Sequence, residues 1–203
     1  MTDRPHAIQS LDQARFHALA NMWPAMYLAL CAVVVSVSFI HSGFAPWWGV
    51  VAATPIILLP TGVLWYTQLY RYRKNIPSPE VCQRTLRIIG VGLILEKSAL
   101  VAWEVWLAQW STPEALLLLA LCMGGQMVFT LFGLLHLRGA SVFATLVCVF
   151  GMVAIAERTG SGVFALLVLL GGGVGGLTYV ALRHYRDFAK LVTSRLAVEA
   201  KNT

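Results

Sequence analysis

Six apolar stretches, most of them close to the roughly 20 residues that carry a helix across a bilayer, alternate with short polar gaps along the chain. They cover about 22–42, 47–70, 85–109, 114–135, 140–156 and 162–182. Hydrocarbon offers a backbone no hydrogen-bond partner, so each stretch is expected to be helical; the runs are too long and too uniformly apolar for barrel strands. The pattern predicts an all-α polytopic membrane bundle of six transmembrane helices.

Local signals place several boundaries. Ser78-Pro79-Glu80 and Thr112-Pro113-Glu114 each offer an N-cap hydroxyl, a proline at the first helical position and an early carboxylate, so helices are expected to begin there. Pro55 and Pro60 fall within the second stretch, and each removes a helix hydrogen bond, predicting a bend. Before the first span, Ile8, Leu11, Arg15, Phe16 and Leu19 approximate helical spacing, which suits a lead-in helix over 1–21 lying on the inner membrane surface. Acidic and basic residues in that segment, with no apolar h-region, argue against a cleavable signal peptide. Beyond the sixth span, the chain runs from Arg183 to Thr203 without proline or glycine, the pattern of a continuous helix.

Charge then orients the bundle. Of 15 Lys and Arg residues, all but Lys97 and Arg158 lie in the two tails or in every second gap: Arg4 and Arg15, Arg71 to Arg87, Arg138, and Arg183 to Lys201. Those segments are expected to be cytoplasmic, which puts both termini in the cytosol. Seven tryptophans, among them Trp23, Trp47, Trp48 and Trp110, fall mostly near the proposed interfaces. The formal charge of +6 flanks spans and does not form one soluble patch, so anionic lipid headgroups are the expected partner and nucleic acid is not. Four cysteines, three of them inside apolar runs, suggest no disulfide framework.

Glu96, Lys97 and Glu104 are the costliest residues, since a charge near mid-bilayer carries about 2.5–3.5 kcal/mol on insertion scales. Lys97 and Glu104 share one helical face, with Glu96 about 100° away. They form either an ion relay or polar ligand pocket, or a paired cluster that fixes packing. His41 and His136 stand at opposite ends of their helices, too far apart to share a metal; His41 is a candidate ligand contact or a hydrogen-bonded interfacial histidine. No CxxC, HExxH or clustered His/Cys/Asp set is present, so no metal site is assigned and no catalytic residue is named. Haem and quinone remain open as ligands without a motif for either. The run Gly171-Gly172-Gly173-Val174-Gly175-Gly176 formally matches GxGxxG, but it sits in an apolar span with no preceding strand. Gly171/Gly175 and Gly172/Gly176 read instead as small-xxx-small pairs for close helix packing, within the chain or in a homodimer. Downstream, Phe188, Leu191, Val192, Leu196 and Val198 form a short coiled-coil-like stripe.

Several blocks carry a resemblance: Arg15-Phe16-His17-Ala18-Leu19 with Pro24-Ala25-Met26-Tyr27-Leu28, His41-Ser42-Gly43-Phe44-Ala45-Pro46-Trp47, Pro77-Ser78-Pro79-Glu80, Leu135-His136-Leu137, and His184-Tyr185-Arg186-Asp187-Phe188 with Leu191-Val192-Thr193-Ser194-Arg195. Over nearly its whole length the chain resembles the N-terminal six-span sensor regions of alphaproteobacterial proteins with GGDEF diguanylate cyclase output, often followed by an EAL phosphodiesterase. The resemblance implies a sensor domain over 22–183, a coiled-coil connector beginning at 184–203, a cytoplasmic output domain beyond it, and control of cyclic di-GMP by a homodimer. The chain itself is then not an enzyme. Glu96, Lys97 and Glu104 lie outside the resembling pattern, so no role passes to them. The rival readings are a small transporter or channel using those three residues, and a lipid-modifying enzyme, which would need an acid or histidine cluster that the sequence lacks.

Overall fold

The computed structural model describes residues 10–72, 77–133, 137–157 and 161–201; Arg4, Ile8, Arg73, Lys74, His136 and Arg158 lie outside the described residues. Among the described residues, seven α-helices follow in order: α1 (Leu11–His41), α2 (Trp47–Ala53), α3 (Leu59–Gln68), α4 (Pro79–Leu107), α5 (Pro113–Gly133), α6 (Arg138–Ala156) and α7 (Ser161–Lys201). No strand occurs among the described residues. Leu11–His41, Trp47–Tyr72, Pro113–Leu131 and Gly139–Ala156 are each long and apolar enough to cross a membrane. Helices α4 and α7 cover the two other expected spans; α4 is distinguished by the charges it carries on and beside its buried face.

The bend expected from the two prolines takes a specific form. Between α2 and α3 the backbone widens into one π-helical turn, Thr54–Leu58, with Pro55 inside it and Pro60 in the first turn of α3. A proline cannot donate its backbone nitrogen, so carbonyls are released there. Thr61 Oγ1 donates to the Ile57 carbonyl at 2.9 Å, and the Tyr27 hydroxyl reaches from α1 to the Leu58 carbonyl at 3.2 Å. Helix starts are capped unequally. The Ser10 and Thr112 hydroxyls accept from the backbone N–H of Gln13 and Ala115, whereas Ser78 occupies its N-cap position without making that bond.

The lead-in differs from the surface helix expected for 1–21. Its described part is the first portion of α1, which runs through Pro24 without a break and turns Phe16, Leu19 and Trp23 onto α4. There they close over Leu69, Cys82, Leu86 and Ile89. The apolar stripe read from the sequence therefore meets protein, which buries it as effectively as a lipid surface would. Gln13 ties the same region to the segment before α4 by donating to the Pro77 carbonyl at 2.9 Å.

A second core fills the opposite end, where Val37 of α1, Val101 and Leu107 of α4, Leu119, Met123 and Met127 of α5 and Met152 and Ile155 of α6 interdigitate. Two glycines set its spacing. A Cβ on Gly49 would collide with the Trp106 ring, and one on Gly151 with Val101 and Met123, so α2 and α6 pack against α4 more closely than any larger residue allows. Helix α7 packs on α5 and α6 and touches α1 near its start.

Candidate functional site

The three costly residues of α4 divide into two environments. Lys97 and Glu104 point into the bundle and are buried, Glu104 completely. They do not meet directly. Gln126 of α5 stands between them: Lys97 Nζ donates to Gln126 Oε1 at 3.1 Å, and Gln126 Nε2 donates to Glu104 Oε1. A carboxamide suits this place because its two ends have opposite polarity, an acceptor for the ammonium and a donor for the carboxylate. The chain Lys97–Gln126–Glu104 joins two helices through charge-assisted bonds. One atom is left over: Glu104 Oε2 is buried and has no hydrogen-bond partner.

Glu96 turns to the other side of α4. It is only half-buried, and its Oε2 lies 3.1 Å from the Thr61 hydroxyl of α3, which shares its one proton between this carboxylate and the Ile57 carbonyl. Between the two environments lies a cavity of about 60 Å³, bounded by Met26, Leu30 and Val33 of α1, by Glu96 and Lys97, and by Gln126 and Thr130 of α5. Several water molecules fit such a space, but a drug-sized organic ligand needs about 300–1,000 Å³.

His41 is fully buried at the end of α1, with Nδ1 hydrogen-bonded to the Val37 carbonyl at 2.8 Å and Nε2 to Ser111 Oγ at 2.7 Å. Both ring nitrogens are thus engaged by protein, and the side chain fastens α1 to the turn between α4 and α5. His136 lies outside the described residues.

Compared with known proteins, the chain matches no family model, no curated protein and no solved structure.

The glycine run sits on α7 with an open face: a Cβ added at Gly172, Gly173, Gly175 or Gly176 would meet nothing within 4 Å. The surroundings of Gly171 fall outside the described residues. Phe188 and Val192 further along α7 are half-buried, while Leu191 and Val198 are exposed. At the level of Tyr185 the helix is fastened to α1. The Tyr185 hydroxyl accepts a hydrogen bond from Arg15 Nη2, the Arg15 guanidinium lies 5.2 Å from the tyrosine ring centre, and Arg15 Nη1 is held by Asp12 at 3.0 Å.

Sequence reasoning found Glu96, Lys97 and Glu104 but missed their partners. Gln126 was visible as a carboxamide inside an apolar run, where an amide without a partner is costly, and that signal alone marked it for pairing. Thr61 carried no such signal, since threonine satisfies itself on its own helix. The Arg15–Tyr185 latch joins positions 170 residues apart and depends on packing that no local pattern encodes.

Proposed function

We propose that this chain is the transmembrane sensory domain of a bacterial inner-membrane signalling protein, with six spans, both termini cytoplasmic, and a C-terminal helix that transmits a membrane or small-ligand signal to a cytoplasmic diguanylate cyclase in a homodimer. The observation that carries the reading is α7. It is a single helix of 41 residues, about 60 Å at 1.5 Å per residue, roughly twice the hydrocarbon thickness of a bilayer. A rod of that length extends well past the spans, and the Arg15–Tyr185 latch sits where it leaves them. A change in bundle packing that moves α1 thereby moves α7. The exposed glycine face and the stripe at Leu191 and Val198 supply surfaces on which a second α7 can lie.

A signal shifts such a device only by favouring one packing over another. The cavity beside Lys97 is lined by α1, α4, α5 and α6 together, so a change in its occupancy acts on four helices at once. In the transporter reading the same charges form a pathway, but Gln126 spans the gap between Lys97 and Glu104, and a carboxamide is a poor proton carrier. The readings separate experimentally. The chain is fused after Thr203 to a diguanylate cyclase catalytic domain with one to seven residues inserted, and cyclic di-GMP is measured in cells. The sensory reading predicts output that rises and falls with helical phase. Output indifferent to phase, together with ion flux in proteoliposomes, would favour transport.

A further inference from the structure

A groove of about 350 Å³ runs between the π-helical turn with α3 on one side and α4 on the other. Ile57, Pro60 and Leu64 form one wall, and Gly92 and Leu95 the other. Its outer rim is hydrocarbon-like, since Ile56 and Leu95 are both 65% exposed. Its polar side chains are Glu96 and Thr61, and no cationic side chain lines it. One carboxylate oxygen of Glu96 accepts from Thr61; the other makes no hydrogen bond among the described residues. The neighbouring ammonium of Lys97 lines the inner cavity and not this groove, and it is hydrogen-bonded to Gln126. A carboxylate oxygen that opens onto an apolar groove with no cation in its lining is an arrangement that low-dielectric surroundings tolerate poorly.

The geometry has a definite complement. Acceptors sit at the inner end, the Glu96 carboxylate and the Thr61 oxygen, and apolar walls lead out to the exposed face. Gly92 lets Leu64 of α3 lie directly on the α4 backbone, where a Cβ would run into the Leu64 side chain. We propose that this groove binds, from the bilayer, a single-chain cationic amphiphile whose ammonium group pairs with Glu96 and whose apolar tail lies along α3 and α4. An ammonium is preferred over a hydroxyl because its hydrogen bond to a carboxylate is charge-assisted. Glu96 also borders the inner cavity beside Lys97 and Gln126, so an occupant of the groove presses on the polar centre of the bundle through one side chain. The inference does not depend on what α7 is attached to.

The test uses the full 203-residue chain in phosphatidylcholine nanodiscs, with thermal unfolding followed during titration of decylamine, decanol and decane. The expected result is a saturable rise in midpoint with decylamine, a smaller one with decanol and none with decane. Glu96→Gln should raise the half-saturating decylamine concentration about tenfold or more, the loss of one charge-assisted bond. Gly92→Leu, whose side chain must displace Leu64 from the groove wall, should weaken decylamine while leaving the carboxylate in place. If either variant fails to fold, the wild-type comparison still decides. Equal effects of decylamine and decane, no saturable effect of decylamine, or undiminished binding by Glu96→Gln would overturn the proposal. Because the assay needs no output domain, its failure leaves the phase-dependent cyclase test standing, and the reverse also holds.

Discussion

Glu104 and Glu96 stand about two turns apart on one helix and meet opposite surroundings. Glu104 is sealed in the bundle, held by Gln126 and linked through it to Lys97; Glu96 is half-buried, held by one hydroxyl, and borders an open groove. The difference comes from the neighbours. The face carrying Lys97 and Glu104 looks into the bundle, where α1 and α6 pack on α4 and Gln126 reaches across from α5, whereas Glu96 faces α3 just past the π-helical turn and its two prolines. A charge in the first setting is structural, because every arrangement that breaks its bonds leaves a buried ion without its partner. A charge in the second is available to a ligand.

Substitutions sharpen the contrast, beginning with the largest effect. Lys97→Met should cost about 3–5 kcal/mol, because the Glu104 carboxylate is then buried without its counter-charge. The combined replacement Lys97→Met, Gln126→Leu, Glu104→Leu should recover most of that loss, since an apolar set of similar volume carries no desolvation penalty. Unfolding midpoints in detergent micelles provide the measurement, and a triple variant no better than the single one would show that the polar chain contributes more than charge balance. Gln126→Leu alone should come next, at about 1.5–3 kcal/mol for the loss of bonds to charged groups. At the other side of α4, Glu96→Gln should change stability by less than about 0.5–1 kcal/mol, in keeping with its single neutral partner. If Glu96→Gln proved as damaging as Lys97→Met, the distinction between the sealed and open sites would fail.

A smaller effect probes the lead-in. Cys82 is fully buried beneath Phe16 and Leu19, and its thiol is pushed up to about 11 by burial and, secondarily, by the charge of Asp12. The thiolate is the reactive form, so alkylation at pH 8 should be slow and should accelerate only as the pH approaches 11. Phe16→Ala removes part of the cover and should speed maleimide labelling of Cys82 severalfold at pH 8. An unchanged rate would mean that α1 does not shield this end of α4 in solution.

Much of the architecture was legible in the order of residues. Helix positions follow from apolar run length, and the bend at Pro55 and Pro60 follows from missing donors. The length-and-composition signal is weaker for α4, which carries Arg84, Arg87, Glu96, Lys97 and Glu104 in one helix. That same density of charge marked it as the element of interest. Helical spacing correctly separated Glu96 from the face shared by Lys97 and Glu104, but spacing describes one helix at a time. It could not choose Gln126 over a direct ion pair, or Thr61 as the partner of Glu96, because those outcomes depend on which helices become neighbours. The lead-in shows the same limit: an amphipathic stripe announces that it will be covered without saying whether lipid or α4 covers it.

The account depends on α7 delivering its far end to the cytosol. The direct measurement places a cysteine at Ser194, which is exposed on α7, in a variant whose four native cysteines are replaced by serine or alanine, and treats intact spheroplasts with a membrane-impermeant maleimide. The account predicts no labelling until the membrane is permeabilised, then rapid labelling. Labelling of intact spheroplasts would place this end of α7 outside the cell and contradict it.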